Sequence, residues 1–144
     1  MKKLAIALIG LSIAAGVAVA GPAEDREALM KERAKIMGDL TKVAKGETPF
    51  DSAAVLDQLK ALQANADKGA DVATLWPAGS QGDTEASPKI WEDTAGFQKE
   101  ADNYKAAVAT AVAAAPADAA AVGAALGPVG KSCGVCHQGY RVKK

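Results

Sequence analysis

Apolar residues along this chain recur at helical spacing, and no stretch alternates with period two. From about Asp25 to Lys45 the stripe is Leu29, Ile36, Leu40 and Val43, positions that fall on one face of an α-helix. Gly46 stops it. Met30 and Met37, seven apart, run along one flank of that stripe. After Thr48-Pro49, Asp51 caps a second helix to about Lys68, with Val55, Leu59, Leu62 and Ala66 on one face and Gly69 at its end. Residues 70–87 form a long connection, because Trp76-Pro77 and the run from Ala78 to Asp83 break any regular element. Ser87-Pro88 then supplies an N-cap and a first-turn proline. The third helix runs to about Ala115, with Ile90, Phe97, Ala101, Tyr104, Val108 and Ala111 inward, and Pro116 ends it. In the fourth, Val122, Leu126, Val129, Cys133, Cys136 and Tyr140 share a face, and Gly127-Pro128 predicts a kink or a fresh start. Short turns at two junctions and one crossing loop predict an all-α fold, an antiparallel up-down-up-down four-helix bundle.

The first twenty residues read differently. Lys2 and Lys3 precede an apolar run from Leu4 to Val17, and Ala18-Val19-Ala20 is a small-x-small cleavage site. This is the pattern of a secretory signal peptide over 1–20, leaving residues 21–144 as a single-domain mature chain. The run is short for a membrane span and no second such run is expected, so the expectation is a soluble protein of a bacterial periplasm without stable membrane insertion. Removing Lys2 and Lys3 leaves 15 basic against 17 acidic residues. That balance argues against nucleic acid as a partner, since nucleic acid wants a basic footprint.

Near the C-terminus stands Cys133-Gly134-Val135-Cys136-His137, the C-x-x-C-H signature of covalent haem c attachment. On a helix these positions share one face. Cys133 and Cys136 can both reach the vinyl groups on one porphyrin edge as thioethers, and His137 offers a proximal axial ligand to iron. His137 is the only histidine. A dithiol redox pair would need a strand–turn–helix setting, and a structural zinc site would need a fourth ligand. A buried porphyrin would also thicken a core that is alanine-rich and only 4% aromatic.

Several blocks, taken in order, resemble the class II cytochromes c, the family of cytochrome c′ and the low-spin cytochromes c-556. They are Ala44-Lys45-Gly46-Glu47-Thr48-Pro49-Phe50-Asp51, Ser87-Pro88-Lys89-Ile90-Trp91, Pro128-Val129-Gly130-Lys131-Ser132, and Tyr140-Arg141 after the haem motif. The resemblance implies a four-helix bundle with one haem c on the C-terminal helix, engaged in redox chemistry. Fifteen residues before Lys45 lies Met30, in Leu29-Met30-Lys31. In the c-556 type this position is a methionine ligand, which makes Met30 the candidate distal iron ligand. In cytochrome c′ an apolar side chain there covers a five-coordinate iron. A methionine in an amphipathic helix is ordinarily core filler, and Met37 is read that way. Arg26 resembles a residue that approaches a haem propionate, and Arg141 one that lies near the proximal imidazole. Trp91 and Phe97 are read as core residues packed near the porphyrin.

The expectation is a non-enzymatic monohaem electron carrier, since no nucleophile and base are paired anywhere in the chain. Periplasmic redox proteins are the expected partners, with Lys131, Arg141, Lys143 and Lys144 as a docking patch. The alternative is a five-coordinate protein binding nitric oxide or carbon monoxide. A Cys-pair module without haem is a third reading. Either a monomer or a homodimer is compatible with the family.

Overall fold

The computed structural model describes residues 21–82 and 84–142. Segment 1–20, read above as a signal peptide, and the patch residues Lys143 and Lys144 lie outside the described residues. The elements are α1 (Pro22–Ala44), α2 (Ser52–Gly69), α3 (Val72–Leu75), α4 (Lys89–Glu92), α5 (Thr94–Ala113) and α6 (Ala119–Tyr140). The four long helices form the bundle. α1 packs on α2 and α6, and α5 packs on the same two. Neighbours run antiparallel. Gln98 near the start of α5 donates to the carbonyl of Ala70 just past α2 (3.0 Å). A Cβ at Gly123 near the start of α6 would lie 3.7 Å from that of Ala44 at the end of α1.

Local chemistry fixes the boundaries. Asp51, Asp71, Asp93 and Asp118 each turn a carboxylate onto a free backbone N–H at a helix start, satisfying donors that have no intrahelical partner. α1 instead begins with Pro22 and carries Glu24 and Asp25 in its first turn. Gly46, at φ +73°, gives α1 the left-handed exit that lets the Glu47 N–H return to the Lys42 carbonyl (2.9 Å).

The expected inward faces of the second and fourth segments are largely buried. Val55, Leu59, Leu62 and Ala66 of α2 and Val122, Leu126 and Val129 of α6 belong, with Leu40, Val43, Tyr104, Val108 and Ala111, to one apolar cluster. Val72, Ile90, Phe97 and Tyr140 form a second, with Trp76, Trp91 and Cys136 packed against it. The core is therefore in two parts.

Three features differ from the sequence expectation. The third helix is interrupted at Asp93 (φ −130°, ψ 58°). There one carboxylate oxygen accepts from the Gly96 N–H (3.0 Å) and the other from the Tyr140 hydroxyl (2.9 Å), so the break ties α5 to the end of α6. Conversely, α6 makes no fresh start at Pro128. Proline withholds one hydrogen bond, from the Ala124 carbonyl, and Ala124, Gly127 and Pro128 are all exposed, so water can serve that oxygen. The long connection also contains α3, and its end forms a β-bridge between Ala86 and Arg141. α6 is long and apolar enough to cross a membrane by composition alone, with mean hydropathy 1.2, correcting the expectation that no further such run exists. Here it packs as one wall of the bundle.

Two predictions test these junctions. Asp93→Ala should lower Tm by about 5 °C at pH 7 through loss of the cap. The Tyr140 hydroxyl and the Gly96 N–H hold the Asp93 carboxyl below its ordinary pKa. Its contribution is therefore full above the unfolded value near ~4 and fades as pH falls through the depressed folded value. Thermal melts from pH 7 to pH 3 should show wild type and variant converging at the acid end. Ala115 sits at φ +40°, where a Cβ is strained. Ala115→Gly should accordingly raise stability by about 0.5–1 kcal/mol in urea titration.

Candidate haem site

A cleft open to solvent lies between the two apolar clusters, lined by residues of both. One wall belongs to α6. Ser132, Cys133, Cys136 and His137 all line the cavity, because an unbroken helix puts i, i+3 and i+4 on one face. Cys133 packs on the first apolar cluster and Cys136 on the second, so the pair straddles the gap.

Both thiols are free and half-buried. Burial pushes the Cys133 thiol up, against the pull of Arg33. Burial raises Cys136 as well, helped by the negative charge of Glu100. A catalytic dithiol needs the opposite shift, supplied by a helix N-terminus, and these cysteines occupy the last two turns of a 22-residue helix. Among the described residues no three His, Cys, Asp or Glu side chains converge as a metal-ion site. Neither rival reading of the cysteine pair finds its structure here. Burial lowers the His137 pKa, with Arg141 and Arg33 adding to the effect, so its imidazole is neutral at pH 7 and keeps a free lone pair.

The second wall belongs to α1, which contributes Arg26, Leu29, Met30 and Arg33. Met30 is 40% exposed, a large apolar side chain left at the cavity rather than in the core. Met37 packs against the first cluster instead, as its core reading requires. The Met30 Sδ lies 3.8 Å from Nη1 of Arg33. From α5 come Phe97, Glu100, Ala101 and Tyr104, and the long connection adds Leu75 and Trp76. The Tyr104 hydroxyl is buried without a hydrogen-bond partner, and burial raises its pKa to about 12.

The other expected contacts divide. Arg26 borders the cavity but is only 5% exposed. Its Nη1 donates to the Leu75 carbonyl (2.9 Å) and the Ser80 hydroxyl (3.0 Å), and its Nη2 to the Ser80 carbonyl (2.7 Å). The guanidinium lies 4.3 Å from the Trp76 ring. It secures the connection that carries Trp76. Trp91 stands one layer further back, its ring 5.6 Å from that of Trp76 and its indole N–H on the Pro77 carbonyl (3.1 Å). Arg141 lies outside the cavity and pairs with Glu85 (Nε–Oε2 2.6 Å). This cation is already partnered, so of the proposed docking patch only Lys131 stands free among the described residues. Sequence reasoning missed Arg33 and Trp76. Arg33 looked like one more surface cation, and Trp76 lay in a stretch with no periodicity to orient it.

These side chains fit a haem. An apolar gap divides the core, two thiols and an imidazole line one wall, and a thioether lines another. A buried phenol at the cavity has no protein partner of its own.

The comparisons agree with the fit. The family model described as Cytochrome C′ matches residues 22–141. A cytochrome c-556 of Agrobacterium fabrum is 38% identical over 95% of this chain and 92% of its own length. A cytochrome c′ of Rhodopseudomonas palustris is 40% identical over 99% of both. Among solved structures, cytochrome c′ from Rhodobacter sphaeroides superposes with TM-score 0.77 at 33% identity, covering 85% of this chain and 96% of that one. A nitric oxide complex of a point mutant of cytochrome c prime from Alcaligenes xylosoxidans gives TM-score 0.75 at 31% identity, covering 85% and 94%. By fold, cavity and sequence alike, the chain belongs to the cytochrome c′ family of class II cytochromes c, four-helix c-type cytochromes that carry haem c covalently and serve electron transfer or gas binding.

Proposed function

We propose that this protein is a periplasmic electron carrier of the c-556 type, exported by residues 1–20 and cleaved before Gly21. Bound haem c supplies an iron that exchanges one electron between ferric and ferrous states. Cys133 and Cys136 tether the ring through thioethers. His137, its pKa lowered by burial, would hold the iron through an imidazole nitrogen. Met30 would hold the iron from α1 through its thioether sulfur. The observation that carries this reading is the placement of Met30 in the same cavity as His137, while Met37 is spent on the core.

A neutral thioether suits ferrous iron and raises its reduction potential. Holding both ligands on packed helices keeps their geometry the same in the two oxidation states. Trp76 and Phe97, in edge-to-face contact at 5.0 Å, exclude water from one side. Arg26 contributes by fixing Trp76, and its charge beside the cavity favours an acidic edge of the bound group. Trp91 supports the same aromatic wall from behind. Arg141 lends the proximal side positive potential across its pair with Glu85. The partner is a periplasmic redox protein, met by a monomer or a homodimer.

A second reading is favoured by the structural likeness to nitric oxide complexes of cytochrome c prime. In it Met30 covers the distal side without bonding iron, and a diatomic gas binds there.

The absorption spectrum decides between them. The ferric protein should be low-spin with a far-red sulfur-to-iron band, and the ferrous protein should take up carbon monoxide slowly. Met30→Ala should abolish that band, open the site to carbon monoxide, and lower the potential by at least about 59 mV, a tenfold shift in a one-electron equilibrium. A high-spin wild type that binds carbon monoxide readily would establish the gas-binding reading instead.

A further inference from the structure

Arg33 is the cavity residue that the electron-transfer reading leaves without a task. It is half-buried and, among the described residues, makes no ion pair, although the chain has 17 acidic residues. Glu32, the nearest acid in sequence, bonds elsewhere. What holds the guanidinium is Asn65 of α2, itself 2% exposed. The Asn65 Oδ1 accepts from Arg33 Nε (3.0 Å), and its Nδ2 donates to the Leu29 carbonyl (3.0 Å) and to Glu32 Oε2 (2.7 Å). One buried amide therefore grips α1 at 29, 32 and 33, on either side of Met30.

The remaining faces of the guanidinium are also fixed. It lies 4.1 Å from the centroid of the Tyr104 ring, a cation–π contact. A Cβ at Gly69 would come within 2.6 Å of Arg33 Nη2, so the absent side chain at the end of α2 makes its room. On the cavity side its Nη1 stands 3.8 Å from the Met30 Sδ. Helix packing alone would be served by an apolar residue at 65. A fully bonded buried amide is a specifying device instead.

We propose that Asn65 and Gly69 set Arg33 as a latch that orients the Met30 thioether and retards its departure from iron. The inference rests on Met30 being the distal ligand. A thioether sulfur has two lone pairs; one goes to the metal and the other can accept weakly from the guanidinium N–H. Met has three rotatable side-chain bonds and adapts readily, so without the latch it samples conformations in which the sixth position is open. Arg33 is thus a positioning residue, acting through Met30.

The test uses haem-loaded wild type, Arg33→Gln, Asn65→Leu and Gly69→Ala. Three readouts are taken: the ferric sulfur-to-iron band, the rate of carbon monoxide uptake by the ferrous protein, and Tm. With the band present in wild type, Arg33→Gln and Gly69→Ala should each take up carbon monoxide about tenfold faster and weaken the band. Gly69→Ala is the decisive variant, since alanine favours a helix over glycine and Tm should not fall. Asn65→Leu should behave likewise where it folds, and the other two carry the test where it does not. A purely structural role would lower Tm in Arg33→Gln and leave carbon monoxide uptake at the wild-type rate. That result, with the band intact in every protein, would overturn the latch and leave Met30 as ligand. A wild type lacking the band would remove the ligation reading and the latch together, and is recognised before any variant is made.

Discussion

The structure depends on a core that its own side chains do not close. Alanine-rich helices bring little bulk to the interior, and the apolar residues gather into two clusters rather than one. Cys133 belongs to the edge of one and Cys136 to the edge of the other, one helical turn apart. A rigid planar group held by both thiols would join the halves, and burying its apolar faces would contribute the driving force that a continuous core supplies elsewhere. Cofactor binding and folding are in that sense one equilibrium here, because whatever binds only the folded chain stabilises it.

The walls of the gap are held by polar groups more than by apolar ones. Arg26, Asn65 and Asp93 each join segments far apart in sequence, and each uses several bonds to do so. Such groups add modestly to stability when satisfied but cost heavily when a partner is lost. Their value lies in register. An apolar contact tolerates sliding, whereas the Asn65 amide meets its three partners at one rotation of α1. That rotation decides where Met30 points.

The bundle was legible because burial follows the 3.6 period. Leu40 and Val43, Val55 to Ala66, and Val122 to Val129 all lie on the faces that their spacing assigns. The haem motif was legible because its chemistry demands a fixed local pattern. What stayed hidden depends on contacts across the fold. Asp93 reads as an ordinary helix residue until Tyr140, 47 positions away, bonds to it. Pro128 reads as a breaker until its neighbours prove solvent-exposed. Arg33 reads as a surface charge until Asn65, Gly69 and Tyr104 surround it. Arg141 was matched to the imidazole through the family resemblance; its charge does act on His137, but its guanidinium also pairs with Glu85, which nothing local announces.

The bridge between Ala86 and Arg141 bears on the order of events as the chain emerges. The Ser87 N–H bonds to the Tyr140 carbonyl, and the Val142 N–H to that of Glu85 (3.0 and 2.9 Å). Contacts this distant in sequence form late, because the entropy of closing the intervening loop must first be met. One side of the clasp lies just beyond the attachment motif and the other about a third of the chain before it. The clasp thus fastens the end of α6 to the long connection only after the bundle helices have met.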